Sequence, residues 1–511
     1  MKRLLGMLLC VCLLLSCVPA LAEDGGHVSF TINSTHSNAT MDYDKDGLYD
    51  YISQKFDFDY EVWPVSKDSQ AEKFRIWVNG GTMPDCVTLR DFKYQEYATY
   101  AEQGLLAPLP TGWEETYPNL YKMVVDSGMY DKMQLDGQMY AIPHAIFSNF
   151  AHMDTVVNHL SVYYRKDWVE QLGLEPFGTV ITLSQLADYL QKAIDADLAG
   201  NGNTIGLSDN NDYAARFFTL FSDVSYNTFM RIDGKYVWGA AQPGVINALK
   251  LASQWYHEGL LDPDFYLMAS ADAVNKFTSG IAAAMYHNCA ISSYEGYRVS
   301  FQEATGLDPA ECIGAAAIAD DNGVVHAIET ANYWSATFFS PDIDPVVMDR
   351  ILQMMDWMCT TEGELTVMMG VPGETWEQEA DGSVKLLVEA DAEGKIPSTA
   401  ELYNSFSVFR SLGILADDYS FINPTNDAQV ISEVKDIYAA KQLGTIIPLD
   451  FDYETFASDA KANYSLKLED EFSRVLIMPE DEVEAAWDTM VDTNKSIWQP
   501  VVDDLNAAFC Q

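Results

Sequence analysis

The chain beyond residue 27 alternates between short apolar runs and amphipathic segments, and this order constrains its fold more than any other feature. Residues 28–32, 60–64 and 86–89 have the composition of strands, whereas residues 48–56 and 94–103 have the composition of helices. A further helical pattern lies between the second and third of these strands. The order strand, helix, strand, helix, strand predicts a sheet with helices on both faces.

A second α/β region follows the dipeptide Asp136-Gly137, which favours a hairpin between two apolar runs. Residues 161–165 have strand composition. Asp167 is suited to capping the helix that comes next, and either Thr182 or Ser184 is suited to capping the one after it. Because single cores rarely exceed roughly 250–300 residues, a chain of 511 residues is expected to form two to four folded units. The last part, residues 481–509, has a long helical pattern.

The first residues have the pattern of an export signal. A positively charged start precedes the apolar residues 4–15, which are too few for a membrane span of about 20 residues. Two processing sites remain open. Residues 20–22 form an Ala-x-Ala site for ordinary cleavage, whereas residues 14–17 resemble a lipobox that would leave Cys17 lipidated. The protein is therefore expected outside the cytoplasm, in the periplasm, at the cell surface or in the medium, with a lipid anchor at Cys17 left open.

Acidic residues outnumber basic ones 76 to 30, which gives a net charge of −46. Such a surface repels phosphate backbones, so nucleic-acid binding is not expected. Three of the eight cysteines fall in or at the end of the predicted signal. The others contain no Cys-x-x-Cys and are odd in number, so neither a zinc site nor a dense disulfide framework is predicted. One disulfide remains open among Cys86, Cys289, Cys312, Cys359 and Cys510.

Common catalytic signatures are missing from the sequence. It has no Gly-x-Ser-x-Gly, no P-loop, no His-Glu-x-x-His and no Gly-x-Gly-x-x-Gly after a strand. Its eight histidines lack the spacing of metal ligands. With 76 acidic residues, some carboxylate pair will always have the separation that a glycosidase uses, so carboxylates alone do not indicate an enzyme.

Two segments partly match a calcium-binding loop, in which side-chain oxygens are expected at positions 1, 3, 5, 9 and 12. Asp195, Asp197 and Asn203 occupy positions 1, 3 and 9 of the first, but an alanine and a glycine stand at positions 5 and 12. The second, residues 42–53, is better explained as the acidic start of a helix. A structural calcium ion at the first loop stays open against a plain turn, and no other cofactor is expected.

Several motifs occur in one order along the chain. They are NGGTMPD at residues 79–85, DGQMYAIP at 136–143, YYRKDW at 163–168, DADLAGNGNTIGL at 195–207, and MDWM with GVPGE between 355 and 374. Together they resemble the extracellular solute-binding proteins of family 1, in the branch of lipoprotein components of carbohydrate ABC transporters. The resemblance covers nearly the whole chain after the signal.

The resemblance implies an α/β fold of two lobes, each a mostly parallel sheet flanked by helices, with a helical C-terminal segment. The chain would cross between the lobes about three times, near residues 145–160, near residues 327–334 and somewhere after Trp376. The expected limits are residues 1–22 for the signal, 23–148 with 330–378 for the first lobe, and 149–329 with 379–511 for the second.

The resemblance also implies a function. A monomer would capture a small ligand, a sugar or an oligosaccharide, by closure of the two lobes, and deliver it unchanged to the permease of an ABC transporter. Two other functions stay open, a secreted carbohydrate-active enzyme and a surface sensor or adhesin with the same fold. The identity of the ligand and of the permease is not predicted.

Candidate ligand-binding residues follow from the expected fold. Open α/β sheets bind ligands at the carboxyl ends of their strands, and sugars need aromatic rings and paired polar groups. The candidates from the first lobe and the later crossings are Asn33, Ser34, His36, Trp63, Asp85, Trp334 and Trp376, and those from the second lobe are Tyr164, Arg165, Trp255, Asn288 and Tyr294. For each of them, core packing or surface pairing is an equally good explanation.

Overall fold

The computed structural model describes residues 26–34, 41–90, 92–145, 155–200, 202–380, 383–390, 396–413, 421 and 423–510. The predicted signal, Cys17 and His36 lie outside these residues. Everything stated below concerns the described part of the chain.

Strands form where short runs of β-branched, aromatic or alanine residues lie between turns. In chain order they are β1 Val28–Asn33, β2 Phe58–Val62, β3 Cys86–Arg90, β4 Ala141–His144, β5 Leu160–Arg165, β6 Val180–Thr182, β7 Ile205–Leu207, β8 Phe229–Ile232, β9 Lys235–Trp238, β10 Ala282–Asn288, β11 Ile313–Ala319, β12 His326–Ile328, β13 Ser335–Phe339, β14 Trp376–Gln378, β15 Val384–Leu386 and β16 Thr445–Ile447.

Helices begin at capping side chains such as Asp46, Thr182 and Asp427. In chain order they are α1 Gly47–Phe56, α2 Gln70–Gly80, α3 Tyr94–Glu102, α4 Trp113–Thr116, α5 Pro118–Asp126, α6 Tyr130–Met133, α7 Lys166–Gln171, α8 Leu183–Asp195, α9 Asn211–Thr219, α10 Pro243–His257, α11 Ser270–Thr278, α12 Ile291–Thr305, α13 Pro309–Cys312, α14 Pro345–Met358, α15 Thr361–Met369, α16 Thr399–Leu402, α17 Phe406–Leu412, α18 Ala428–Gln442, α19 Phe451–Thr455, α20 Asp459–Asn463, α21 Leu468–Leu476, α22 Glu480–Thr493 and α23 Lys495–Phe509. None of these helices combines the length and the hydropathy that a bilayer-spanning segment requires.

Two five-stranded sheets organise the molecule. The first has the strand order β2-β1-β3-β13-β4, in which only β13 runs antiparallel to its neighbours. The second has the order β6-β11-β5-β10-β7, in which only β5 runs antiparallel to its neighbours. Helices cover both sheets, so the predicted α/β fold with two lobes is confirmed. Each sheet is mixed, with two parallel and two antiparallel strand pairs.

The central strands of the second sheet are rich in alanine and are buried along their length. Small side chains let β11 lie close to β5. A Cβ atom at Gly314 would stand only 2.6 Å from the Tyr164 ring, so no other residue fits there without movement. Tyr164 is thereby fixed in the core of the second lobe.

Core packing shows how far each lobe extends. Val408, Phe409 and Leu412 of α17 are buried in the core cluster of the first sheet. The Phe409 ring lies edge-on to Phe58 at 6.2 Å between ring centroids. The first core therefore includes residues beyond the predicted limit at 378, because the amphipathic face of α17 packs on the first sheet.

Two of the predicted elements, the hairpin at Asp136-Gly137 and the C-terminal helix, differ in detail from the prediction. Asp136 and Gly137 both have positive φ and form a tight turn, but only Leu135 and Gln138 pair across it. The predicted C-terminal helix is two helices, α22 and α23, which meet at Asn494. The fold is otherwise built from the order of elements that the sequence predicts.

Candidate ligand site at the lobe junction

Three segments lie side by side where the lobes join. The backbone N–H of Asn158 donates to the Ile328 carbonyl at 2.9 Å, and that of Thr330 donates to the Val156 carbonyl at 2.8 Å. The N–H of Glu329 donates to the Ile447 carbonyl at 2.9 Å, beside the parallel pair β12 and β16. This hydrogen-bonded ribbon links the chain leaving the first lobe to the chain returning to it.

The direction of the strands determines which sheet edges face the junction. β13 begins at Ser335, shortly after Thr330, and β5 begins at Leu160, shortly after Asn158. Because their neighbours run antiparallel to them, β3, β4 and β10 must end at the junction. The residues at these ends are Arg90, His144 and Asn288.

On the first lobe, a cluster of basic and aromatic side chains surrounds Trp334. The centroid of its ring system is 5.6 Å from the guanidinium carbon of Arg90 and 5.9 Å from that of Arg410. The His144 ring lies edge-on to it at 5.9 Å between centroids. Next to it, the rings of Phe92 and Tyr333 stack at 5.2 Å. The first lobe thus presents half-buried aromatic and cationic groups at this edge.

Three of the predicted residues support this edge from below. The Asn33 amide donates to the Trp63 carbonyl at 2.7 Å and accepts from Gln70 Nε2 at 2.8 Å. The hydroxyl of Ser34 donates to the Ser407 carbonyl at 3.1 Å and so holds α17 against the end of β1. Asn33 and Ser34 are buried and Trp63 is half-buried, so the first two position the edge rather than cover it.

On the second lobe, the side chain of His287 forms a platform with two tyrosines. Its ring stacks on Tyr213 at 4.2 Å between centroids, with 20° between the planes. Its two nitrogens are hydrogen-bonded to Ser270 Oγ at 2.8 Å and to Tyr297 Oη at 2.7 Å. Burial lowers the pKa of His287 to about 4, so the ring is neutral at pH 7.

Asn288 and Asp209 complete this edge of the second sheet. Asn288 is half-buried, and its Oδ1 accepts from the Ala290 N–H at 2.8 Å. Asp209 follows β7 and accepts from the Tyr286 N–H at 3.1 Å. Burial raises the pKa of Asp209 well above its usual range, which favours the uncharged carboxyl.

The lobes also touch along α19. The Phe451 ring lies 6.1 Å from the Tyr94 ring and 4.7 Å from the Lys132 ammonium, both on the first lobe. Gln95 Nε2 donates to the Phe456 carbonyl at 2.7 Å. α19 therefore links the C-terminal segment of the second lobe to helix α3 of the first.

Tyr164 and Arg165 do not reach the junction. They end β5, whose first residue is at the junction, so they lie about 16 Å away at the opposite edge of the sheet. Arg165 is ion-paired with Asp167 and its guanidinium lies over the Trp168 ring at 4.6 Å. Both residues belong to the core and base of the second lobe, and we leave them out of the proposed site.

Four other candidates have structural partners away from the junction edge. Asp85 precedes β3 and accepts from both the N–H and the hydroxyl of Thr31 at 2.7 Å. Trp255 is buried against Phe217 and Phe218. The remaining two are Tyr294, which is buried and donates to Glu433 at 2.6 Å, and Trp376, which is buried and donates to the Gly370 carbonyl at 2.8 Å.

Sequence reasoning missed Arg90, Arg410, Tyr213 and His287. Arg90 and His287 stand in the last two positions of buried strands, and applying the strand-end rule to β3 and β10 throughout would have found them. Arg410 and Tyr213 are on helices, and no local pattern indicates that they approach the junction. Their positions depend on how the helices pack.

The described residues of the loop at 195–206 are held by hydrogen bonds within the loop. Both oxygens of Asp197 accept hydrogen bonds within the loop, from the Gly202 N–H at 2.7 Å and from Thr204 Oγ1 at 2.8 Å. At position 12, a Cβ on Gly206 would stand 2.3 Å from the Leu260 carbonyl oxygen, so a glutamate has no room there. In the described part of the chain, no three His, Cys, Asp or Glu side chains gather as a metal site.

Known proteins resemble this chain in sequence profile and in fold. Residues 46–358 match the sequence profile of a family described as bacterial extracellular solute-binding protein. No curated protein matches the chain significantly. The profile covers more than half of the chain and includes β3, β4, β5, β10 and β13, whose ends meet at the junction.

Solved structures share the whole fold at low sequence identity. The alginate-binding protein AlgQ2, crystallised without calcium, is 15% identical, with a TM-score of 0.65 over 95% of this chain and 99% of its own. FusA of Streptococcus pneumoniae, an ABC-transporter substrate-binding protein in complex with kestose, is 16% identical, with a TM-score of 0.63 over 94% and 96%. A solute-binding protein of Bifidobacterium longum infantis, associated with an ABC transporter for HMO, is 14% identical, with a TM-score of 0.59 over 94% and 96%. These identities establish the fold alone.

Proposed function

The chain belongs to the bacterial extracellular solute-binding protein family, and we propose that it captures a sugar or an oligosaccharide between its lobes and delivers it to an ABC-transporter permease. The observation that carries the proposal is the pair of facing edges. Trp334 with Arg90 and His144 stands on one edge, and Tyr213 stacked on His287 stands on the other. Aromatic rings suit the C–H faces of a sugar, and the polar groups beside them suit its hydroxyls.

The hinge is the hydrogen-bonded ribbon at the junction. A ligand that touches both edges makes all its contacts only when the lobes close, so it favours the closed form by its differential affinity. The solved relatives support a sugar, because FusA is described with kestose and AlgQ2 as an alginate-binding protein. Delivery to a permease is supported in the same way, because FusA is described as an ABC-transporter substrate-binding protein.

Release of the ligand without chemical change is also part of the proposal. The two imidazole rings at the edges are engaged, since His144 is hydrogen-bonded to Thr337 and Ser335 and His287 to Ser270 and Tyr297. The lowered pKa of His287 makes it a weak base. A weak base of this kind is disfavoured as the general base of a hydrolytic reaction.

A thermal-shift screen followed by calorimetry tests the proposal. The purified mature chain is mixed with mono- to tetrasaccharides, and a sugar at about 100 times its dissociation constant should add roughly 2.7 kcal/mol to the free energy of unfolding. Chromatography of the same mixtures after long incubation should return the sugar intact with one equivalent bound. Turnover of the sugar would instead favour a secreted enzyme, and absence of binding across the panel would contradict a sugar ligand.

A further inference from the structure

Arg90 differs from seven other arginines in that its guanidinium has no hydrogen-bond acceptor among the residues that the structure describes. Seven described arginines donate to a carboxylate or to backbone carbonyls, namely Arg75, Arg165, Arg216, Arg231, Arg298, Arg350 and Arg474. Arg90 is half-buried, and its Nε is fully buried with no hydrogen-bond partner among the described residues. Among the described residues, its guanidinium makes one cation–π contact, with the Trp334 ring.

This arrangement is costly for the unliganded protein. Acidic side chains outnumber basic ones 76 to 30, so an arginine in this chain readily finds a carboxylate. A buried donor without an acceptor loses its hydration and gains nothing in exchange. Arg90 nevertheless stands at the end of β3, opposite Ser335, at the edge that faces the junction.

The indole of Trp334 keeps the guanidinium in place. A ring centroid 5.6 Å from the guanidinium carbon attracts the cation without using any of its N–H donors. The planar fork therefore remains able to donate to an incoming group. An oxyanion is the group that this fork binds best, because two parallel N–H bonds match its two oxygens.

We infer that Arg90, oriented by Trp334, binds the carboxylate of an acidic sugar, so that the ligand of this protein carries a uronic acid or a similar carboxylated unit. The inference rests on the proposed function, since it names the ligand class of the same site. A sugar phosphate fits less well, because its second negative charge adds to the repulsion from a chain of net charge −46.

The acidic surface does not prevent such binding. At 0.15 M ionic strength the Debye length is about 8 Å, so exposed charges farther away than this are largely screened. The interaction of a carboxylate with a half-buried guanidinium a few ångströms away is screened much less. Burial raises the pKa of Asp209 and of Glu454, which disfavours the charged form of both carboxyls.

Paired ligands test the inference. Oligosaccharides that contain one hexuronic acid are compared, by calorimetry on the full mature chain, with the same oligosaccharides after reduction of the carboxyl to a primary alcohol. The uronate of the best pair should bind at least tenfold more tightly than its reduced partner. Hexose 6-phosphates and inorganic phosphate form a third arm.

Variants separate the role of Arg90 from general effects. Arg90→Met should weaken uronate binding at least tenfold and bring it to the level of the reduced sugar, whereas Arg90→Lys should retain part of the preference. Arg75→Met, which removes a surface ion pair with Glu96, should keep the wild-type affinity and preference. Because Arg90→Met also removes an unpaired buried donor, the variant should melt no lower than wild type, which excludes misfolding as the cause.

The outcomes are distinct. Equal affinity for uronate and reduced sugar, or tighter binding of a sugar phosphate, overturns the inference and leaves the proposed function intact. Uronate preference that survives in Arg90→Met also overturns it. If no sugar of any charge binds, the proposed function and the inference fail together.

Discussion

At the scale of single residues, Trp334 connects the two features that matter most at the junction. Its ring lies within 6 Å of two guanidinium carbons and beside one imidazole, so its position is held by several weak attractions at once. Such a ring is ordered before any ligand arrives. A preorganised aromatic surface loses little entropy on binding and so contributes most of its contact energy to affinity.

We expect Trp334→Ala to weaken binding of the best sugar at least tenfold, because it removes the stacking surface and releases Arg90 and Arg410. Calorimetry measures the loss. The matched control is Trp498→Ala, since Trp498 is also half-buried but stacks on Trp238 in the second lobe, 5.2 Å between centroids. That control should lower the melting temperature and leave affinity unchanged. Equal affinity of Trp334→Ala and wild type would remove Trp334 from the site.

A second prediction concerns Asn33, which lies under the same edge. Asn33→Ala leaves the Trp63 carbonyl and one donor of Gln70 without their present partners in a buried place. The free energy of unfolding should fall by about 2 kcal/mol, the usual cost of such buried polar groups. Urea denaturation measures it, and the exposed Asn79→Ala should change stability by less than about 0.5 kcal/mol. A loss as small as that of the control would contradict the supporting role of Asn33.

These residues show what the sequence could and could not predict about the site. Asn33, Ser34, Trp63, Asn288 and Trp334 were selected because they follow strands or stand near a crossing. Asn288 and Trp334 lie at the junction edges, and the other three lie beneath the first of these edges. Tyr164 and Arg165 were selected by the same rule. They lie elsewhere because the rule needs the direction of a strand, which depends on pairing between distant parts of the chain.

At the scale of elements, local signals explain much of the fold. Caps such as Asp46 and Thr182 and buried residues at helical spacing predict where helices begin and which face they bury. The packing of α17 on the first sheet was not predictable in this way. Its apolar face would suit either lobe, and only the tertiary contacts of Phe409 with Phe58 and Tyr60 decide between them.

The loop between α8 and β7 gives a third prediction. Since the carboxylate of Asp197 already fixes the turn and Gly206 has no room for a ligand side chain, 1 mM calcium should not raise the melting temperature above that in EDTA. Asp197→Ala should instead destabilise the protein equally in both buffers, and Asp188→Ala, at an exposed position of α8, is the control. A calcium-dependent rise that Asp197→Ala abolishes would establish a metal site there.

At the scale of the whole molecule, the buried Lys441 and the half-buried Lys461 hold the junction from the side of the second lobe. Lys441 Nζ donates to the carbonyls of Asn158 and Leu160, at 3.0 and 2.5 Å, and so fixes the chain as it enters β5. Lys461 Nζ donates to the carbonyls of Glu454 and Phe456, at 3.1 and 3.0 Å, and so fixes the end of α19. Each lysine ties a backbone segment at the lobe boundary through carbonyl oxygens.

Burial lowers the pKa of both lysines from 10.5 to about 8. In each case the pKa in the folded protein is lower than that of the unfolded chain. Between pH 8 and 10.5 the unfolded chain therefore binds more protons than the folded one, and the contribution of each lysine to stability rises with pH. The sign is opposite to that of a lysine stabilised by a carboxylate, whose contribution is lost as the pH rises.

The last prediction uses this sign. Relative to Lys441→Met, wild type should gain about 1 kcal/mol of unfolding free energy between pH 8 and pH 9, because the folded protein is largely deprotonated at Lys441 over this interval. Urea denaturation of both proteins at the two pH values measures the difference. The titration of buried tyrosines and cysteines contributes equally to both proteins and therefore cancels. Lys250→Met, which removes a surface ion pair with Glu484, should differ from wild type equally at both pH values. If the unfolding free energies of wild type and Lys441→Met also differ by the same amount at pH 8 and pH 9, then Lys441 does not change its protonation state in this range.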